Sequence, residues 1–189
     1  DAAVYNGINR VVVRGGFYTE TVILEDGIEL IGELRWDFLP PFILNSGSDT
    51  YLVEGANEAA LQNFVIYEGG IHLDGINEMI VQENIVYNDT TYEVYDLFLE
   101  NGASDNLIEN NIFYKTHAHS AGIFQQPVVV YLSQNSDGNY FANNSIHARD
   151  YTGTNYYDDV MGVYLEDYTE DNEFRNNIIN TITYAGSGG

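Results

Sequence analysis

Five asparagines recur in this chain within near-copies of one short segment. They are Asn63 in EAALQNFV, Asn84 in EMIVQENIV, Asn111 in NLIENNIF, Asn144 in NYFANNSI and Asn177 in NEFRNNII. A leucine precedes each asparagine by 11 or 12 residues, and apolar residues lie three positions before it and two after it. Repetition in a fixed register is the sequence signature of a repeat architecture, so we expect a solenoid.

Each repeat carries two short apolar segments separated by a polar turn. The turns read DGINE, NGASDN, QNSDGN and DYTEDN, and these residue types tolerate tight backbone geometry. No window keeps apolar residues at helical spacing. The asparagines are 21, 27, 33 and 33 residues apart, and the smallest spacing leaves room for three short strands and three turns. A buried asparagine needs partners for its amide, so we predict that all five stack into one structural ladder.

The repeats resemble the right-handed parallel β-helix of the pectin lyase-like superfamily, and the likeness covers nearly the whole chain. The opening RVVVRGGFYTETVILEDGIELIGE looks like the first coils of those proteins, with the G-x-Y-x-E turn at Gly16 to Glu20. The resemblance implies an all-β, single-stranded right-handed parallel β-helix over residues 1–185, followed by a flexible Gly/Ser tail at 186–189. The motifs of the superfamily's esterases, polygalacturonases, epimerases and pectate lyases are not found, so no active site is carried over.

The composition is strongly acidic, with 29 Asp and Glu against 6 Lys and Arg. Such a charge disfavours nucleic acid as a partner, and no apolar run is long enough for a membrane helix. The excess acid is typical of proteins adapted to high salt, or of calcium binding, since hard cations take oxygen ligands. Asp105, Asp137 and Asp171 recur at nearly the same turn position and are the calcium candidates. Turn chemistry alone also predicts aspartate there.

The residues in excess of the 21-residue coil follow the same strand in three repeats, at 87–96, 114–127 and 147–162. We expect these insertions to emerge on one face, and insertions on one face of a solenoid often form its binding face. Strand alternation turns Tyr87, Tyr114 and His147 outward beside them. The candidate ligand-contacting residues are Tyr87, Tyr92, Tyr114, His119, His147, Tyr151, Tyr156 and Tyr157. Tyrosine suits both sugar rings and protein partners.

Three basic residues of the same region suggest a second chemistry. Lys115, His117 and Arg149 could supply the base and the charge neutralisation for β-elimination from an acidic polysaccharide. The alternative is that they are loop residues that neutralise an acidic surface. Two sequons, at Asn88 and Asn143, would permit N-glycosylation of an exported protein.

Two functions therefore remain open. The first is a non-catalytic extracellular or cell-surface module, a self-assembling filament-type scaffold whose Tyr-rich face contacts a partner or a glycan. The second is a carbohydrate-active enzyme, most plausibly a polysaccharide lyase. The missing catalytic motifs and the acidity favour the scaffold. Neither end carries a convincing cap, which suggests either a longer parent chain or self-association along the helix axis.

Overall fold

The computed structural model describes residues 9–34, 39–45, 51–89, 95–117, 128–150 and 160–183. Within these ranges it contains twenty β-strands in three parallel sheets and no helix. Sheet A contains β1 (Arg10–Val13), β4 (Glu29–Gly32), β7 (Ala60–Gln62), β10 (Ile80–Gln82), β13 (Leu107–Glu109), β16 (Tyr140–Ala142) and β19 (Glu173–Arg175). Sheet B contains β2 (Gly16–Tyr18), β5 (Pro41–Leu44), β8 (Val65–Tyr67), β11 (Ile85–Asn88), β14 (Ile112–His117), β17 (Ser145–Asp150) and β20 (Ile178–Thr183). Sheet C contains β3 (Val22–Ile23), β6 (Tyr51–Glu54), β9 (Gly70–Asp74), β12 (Leu97–Glu100), β15 (Val128–Leu132) and β18 (Met161–Leu165).

The chain visits the sheets in the order A, B, C and then begins the next coil. Each strand therefore pairs in parallel with its counterparts one coil earlier and one coil later. Strands of two to six residues are too short to be stable alone, and stacking gives each one two neighbours. The predicted parallel β-helix is confirmed.

The core is a set of inward-facing rows that run along the helix axis. The leucine register of the sequence forms one of them, because Leu73, Leu99 and Leu132 are paired in sheet C and fully buried. Leu165 continues the pairing in the last described coil but is 46% exposed. Inward rows of sheets A and B supply, among others, Leu61, Val81, Ile108, Phe141, Ile66, Val86, Phe113 and Ile146, each fully buried. Phe141 also stacks on Phe174 of the next coil with ring centres 4.4 Å apart. The predicted leucine at position 52 is buried but lies at a register irregularity between Tyr51 and Val53.

Asn84, Asn111, Asn144 and Asn177 form a ladder at the turn between sheets A and B. The backbone N–H and the Nδ2 of Asn84 both donate to Oδ1 of Asn111, at 3.0 and 3.2 Å. Its Nδ2 also donates to the carbonyl of Leu61 in the previous coil, at 2.9 Å. The same three bonds repeat from Asn111 to Asn144 and from Asn144 to Asn177. The ladder satisfies amides that would otherwise be buried without partners.

Asn63 does not join this ladder, contrary to the sequence register. The pairing of Gln62 with Gln82 makes Phe64 the counterpart of Asn84, and the Phe64 N–H donates to Asn84 Oδ1 at 3.0 Å. Asn63 takes the preceding turn position, with a φ of 64°. Asparagine tolerates the left-handed region, so it is acceptable at either of the two adjacent positions. The same left-handed position is held in later coils by Glu83, Asn110, Asn143 and Asn176.

A second asparagine ladder, which the sequence register did not reveal, lies at the turn between sheets C and A. Asn106 donates its N–H and Nδ2 to Oδ1 of Asn139, at 3.1 and 2.9 Å. Asn139 makes the same two bonds to Asn172, both at 3.0 Å. Two of the three corners of the described coils are therefore fixed by stacked amides.

The third corner, between sheets B and C, is where the coil length varies. The three insertions lie in sequence between β11 and β12, between β14 and β15, and between β17 and β18. Each thus follows a strand of sheet B, as the unequal asparagine spacing predicted. Polar side chains, among them Asn88 and Lys115, lie near the ends of the sheet B strands at this corner.

Candidate functional site

A row of stacked rings crosses the outer face of sheet B. Tyr67, Tyr87 and Tyr114 are paired across β8, β11 and β14, with ring centres 5.3 and 5.4 Å apart and planes within 6° of parallel. His147 continues the row, 6.0 Å from Tyr114. Alternation predicted the outward position of the last three rings, whereas Tyr67 was missed because its coil has no insertion. Burial and nearby carboxylates raise the pKa of Tyr67 and of Tyr87.

An apolar row runs beside the rings on the same face. Its described members are Phe17, Phe42, Val65, Ile85, Ile112 and Ile178, interrupted by Ser145. Ile85 and Ile112 are 40% and 42% exposed. Val65, Ile85 and Ile112 lie two positions before Tyr67, Tyr87 and Tyr114 on the same strands, so the two rows are adjacent. Together they form the surface that we call the sheet B face.

The sheet B face is nearly free of charge. Among the outward side chains of its strands whose surroundings are described, Arg149 of β17 is the only Lys, Arg, Asp or Glu. Two carboxylates lie at its edge: Glu68 directly follows Tyr67 and acts on its pKa, and Asp89 lies just beyond β11 and accepts a hydrogen bond from the Thr116 hydroxyl. In a protein with a net charge of −23, this face stands apart from the rest of the surface.

A small groove of about 180 Å³ opens on this face. It is lined by Tyr114, His147, Arg149 and Asn180, together with Ala148 and Ile182. His147 Nε2 lies 2.8 Å from the Ser145 hydroxyl, which fixes the ring orientation. The groove brings together two residues predicted as ligand contacts and one predicted as catalytic.

Lys115 is not part of this groove, and the expectation that it lies on the outer wall is wrong. It is 2% exposed, because it follows Phe113 by two residues on β14 and strand alternation turns both side chains inward. Asp96, immediately before β12, is fully buried at the same corner. Burial raises the pKa of Asp96 to about 7 despite the opposing effect of Lys115. Burial lowers the pKa of Lys115, with Asp96 opposing that shift.

A second row of rings, absent from the sequence predictions, lies on the outer face of sheet C. Its members are Tyr51, His72, Phe98, Tyr131 and Tyr164, with neighbouring ring centres 4.7 to 5.3 Å apart. All five stand directly before a leucine of the sequence register, and that regularity was the available signal. Carboxylates border this row at several of its rings.

His72 holds two of those carboxylates. Its Nδ1 and Nε2 lie 2.7 Å from Glu54 and Glu100 respectively. Carboxyl oxygens therefore contact the ring at both nitrogens, which fixes its orientation in the row. Tyr131 donates to Glu166 in the same region, and burial together with that bond raises the pKa of Tyr131.

The calcium candidates do not share one position. Asp105 and Asp171 take the left-handed turn position, with φ of 56° and 54°, whereas Gly138 holds it in the coil between them and Asp137 lies one residue earlier. Asp137 Oδ1 accepts a hydrogen bond from the Glu170 N–H at 2.6 Å. Across the described residues, no three His, Asp or Glu side chains are grouped as a metal site requires. Their recurrence is explained by the turns and by the second ladder.

The remaining predicted residues divide between two situations. His117 lies on β14 in register with Asp150. Tyr92, His119, Tyr151, Tyr156 and Tyr157 lie outside the described residues. Of the two sequon asparagines, Asn88 is fully buried, whereas Asn143 is exposed.

Comparisons with protein-family models, with curated proteins and with solved structures found no match to this chain. In the part of the chain that is described, no helix has the length and hydropathy needed to cross a membrane.

Proposed function

We propose that this chain is a non-catalytic, extracellular or cell-surface scaffold, related to the pectin lyase-like β-helices, which associates with other copies of itself through the sheet B face. The observation that supports this is the contrast between a net charge of −23 and a face whose outward rows are aromatic and aliphatic. Protein interfaces are depleted of charge at their centres and enriched in aromatic residues. Large exposed apolar patches are uncommon on monomers.

Electrostatics favours a second copy at this face. Two molecules of this charge repel each other over most of their surfaces, and the sheet B face is where they can approach at the least cost. The aliphatic row favours a protein partner over a glycan. Tyr87 and Tyr114 could stack on sugar rings, but Val65, Ile85 and Ile112 offer a sugar only apolar area without hydrogen bonds.

The test is sedimentation velocity over a range of protein concentrations, at moderate and at high salt. We expect the wild type to sediment as a multiple of 21.2 kDa, and the double variant Ile85→Lys/Ile112→Lys to sediment as a monomer. The matched control Gln62→Lys/Gln82→Lys adds the same charge to sheet A and should behave as the wild type. Association along the helix axis would leave both variants assembled. A wild type that is monomeric at every concentration refutes the proposal.

A second candidate function, a lyase acting on an acidic polysaccharide, is favoured by the groove of Tyr114, His147, Arg149 and Asn180. Lys115 cannot act there as a base, because it points into the core. The protein's own charge also repels an acidic glycan. The assay is the absorbance of unsaturated products from uronate polymers. Activity that is lost in Arg149→Ala would establish the enzyme and overturn the non-catalytic proposal.

A further inference from the structure

Three polar side chains meet inside the solenoid at the corner between sheets B and C. Asn88 ends β11 and is directly paired with Lys115 on β14. The two residues are 0% and 2% exposed, and Asp96, immediately before β12, is 0% exposed. Neighbouring strands are about 4.8 Å apart, so a lysine side chain easily reaches the amide carbon of an asparagine opposite it on the same face.

The position of Asp96 links the other two groups. Its carboxyl is close enough to both for Lys115 and Asn88 each to lower its pKa against the larger effect of burial. Lys115 and Asn88 are therefore both neighbours of this fully buried carboxyl. Burying a lysine and an aspartate in the core is costly, so their placement together beside an asparagine calls for a reason beyond packing.

We propose that Lys115 and Asn88 become joined by an intramolecular isopeptide bond, formed without another enzyme, with Asp96 transferring the proton. The Nζ of Lys115 attacks Cγ of Asn88, the Nζ–Cγ bond forms and the Cγ–Nδ2 bond breaks. A proton passes from Nζ through the Asp96 carboxyl to Nδ2, which leaves as ammonia. No oxidant or reductant takes part.

The surroundings suit each part of this reaction. An amine attacks only when it is neutral, and burial favours the neutral form of Lys115. A carboxyl with a raised pKa can donate a proton to the amide and accept one from the amine. Exclusion of water prevents hydrolysis of the amide instead. The product would tie two coils together at the corner from which the insertions leave, in a chain that has no cysteine for disulfides.

The first test is the intact mass of the purified full-length protein. The bond predicts a mass about 17 Da below that of the sequence, because one ammonia is lost. A succinimide at an Asn-Gly pair such as Asn101-Gly102 gives the same loss, so the variant Lys115→Met distinguishes the two. The deficit disappears in Lys115→Met if the bond is responsible, and persists if it arises elsewhere.

The second test uses the fact that Lys115 is the only lysine. In denaturant, an amine-reactive reagent should label the α-amino group alone, and tandem mass spectrometry of a digest should give a branched peptide joining residues 88 and 115. Asp96→Asn should slow or abolish the mass deficit. With a cross-link closing a loop of this size, we expect the wild type to melt about 10 °C above Lys115→Met.

Each outcome decides the proposal. A wild-type mass equal to that of the sequence, with Lys115 labelled in denaturant, overturns it. A deficit of about 18 Da, from loss of water, with a branched peptide joining residues 96 and 115, overturns the assignment to Asn88.

Discussion

Asn111→Ala should be among the most destabilising single substitutions in this chain. The Asn111 side chain takes part in four hydrogen bonds: it accepts two from Asn84 and donates one each to the Val81 carbonyl and to Asn144 Oδ1. A hydrogen bond contributes about 1 kcal/mol net, and a buried group left without a partner costs about 1–3 kcal/mol. Because the Asn84 N–H loses its acceptor, we expect a loss of about 3–5 kcal/mol in the free energy of unfolding.

The matched control is Asn110→Gly in the same turn. Asn110 is exposed with a φ of 57°, a conformation that glycine adopts without strain. The free energy of unfolding of Asn110→Gly should therefore stay within about 0.5 kcal/mol of the wild type. Equilibrium denaturation followed by far-UV circular dichroism measures both variants. If Asn111→Ala costs less than about 1 kcal/mol, the ladder is not the stabilising device that the geometry implies.

Three further predictions concern other parts of the fold. Gly70→Ala should lower the free energy of unfolding by more than about 3 kcal/mol, because a Cβ there would lie 2.0 Å from the Tyr95 carbonyl oxygen. Gly27→Ala meets no such contact and is strained only by a φ of 70°, so it should lower it by about 1 kcal/mol. Equal effects of the two variants in the same denaturation assay would contradict this. The pKa of Asp96 is raised from 3.8 to about 7, so its contribution to stability is fully present below pH 4 and is lost as pH rises through 7. Relative to Asp96→Asn, the wild type should lose on the order of 4 kcal/mol in the free energy of unfolding over that range. A difference in stability between the two proteins that does not change with pH would refute this. His72→Phe keeps the ring stack but leaves the carboxylates of Glu54 and Glu100 facing each other. It should lower the stability by about 1–2 kcal/mol after allowance for their partial exposure. An unchanged melting temperature would contradict this and would mean that the ion pairs contribute nothing.

The sequence was sufficient for the fold because a β-helix repeats the same physical requirement in every coil. Inward amides need partners and inward leucines need neighbours, so Asn84, Asn111 and Leu99 recur at matching positions. The slip at Asn63 arose because the ladder position and the left-handed turn position are adjacent, and asparagine suits both. Only the strand pairing, through Phe64, distinguishes them.

The site was harder to predict, because it depends on contacts between different sheets. Alternation from Phe113 already placed Lys115 inside, and the same alternation from Val86 placed Asn88 there. The insertions nevertheless predicted an outer position for Lys115, and the sequon at Asn88 predicted an accessible asparagine, whereas both side chains are buried. Asp96, immediately before β12 of sheet C, is their neighbour in the structure. The spacing within one repeat does not predict the contact between Asp96 and these two residues.

The most direct test of the scaffold account is a distance measurement between copies. Because the chain has no cysteine, a single spin label can be attached at Ile112→Cys on the sheet B face or at Gln82→Cys on sheet A, and dipolar coupling between copies measured by electron paramagnetic resonance. Lateral association through the sheet B face predicts strong, short-range coupling between labels at position 112 and weaker, longer-range coupling between labels at position 82. Equal coupling at the two positions, or none at either, would contradict the account.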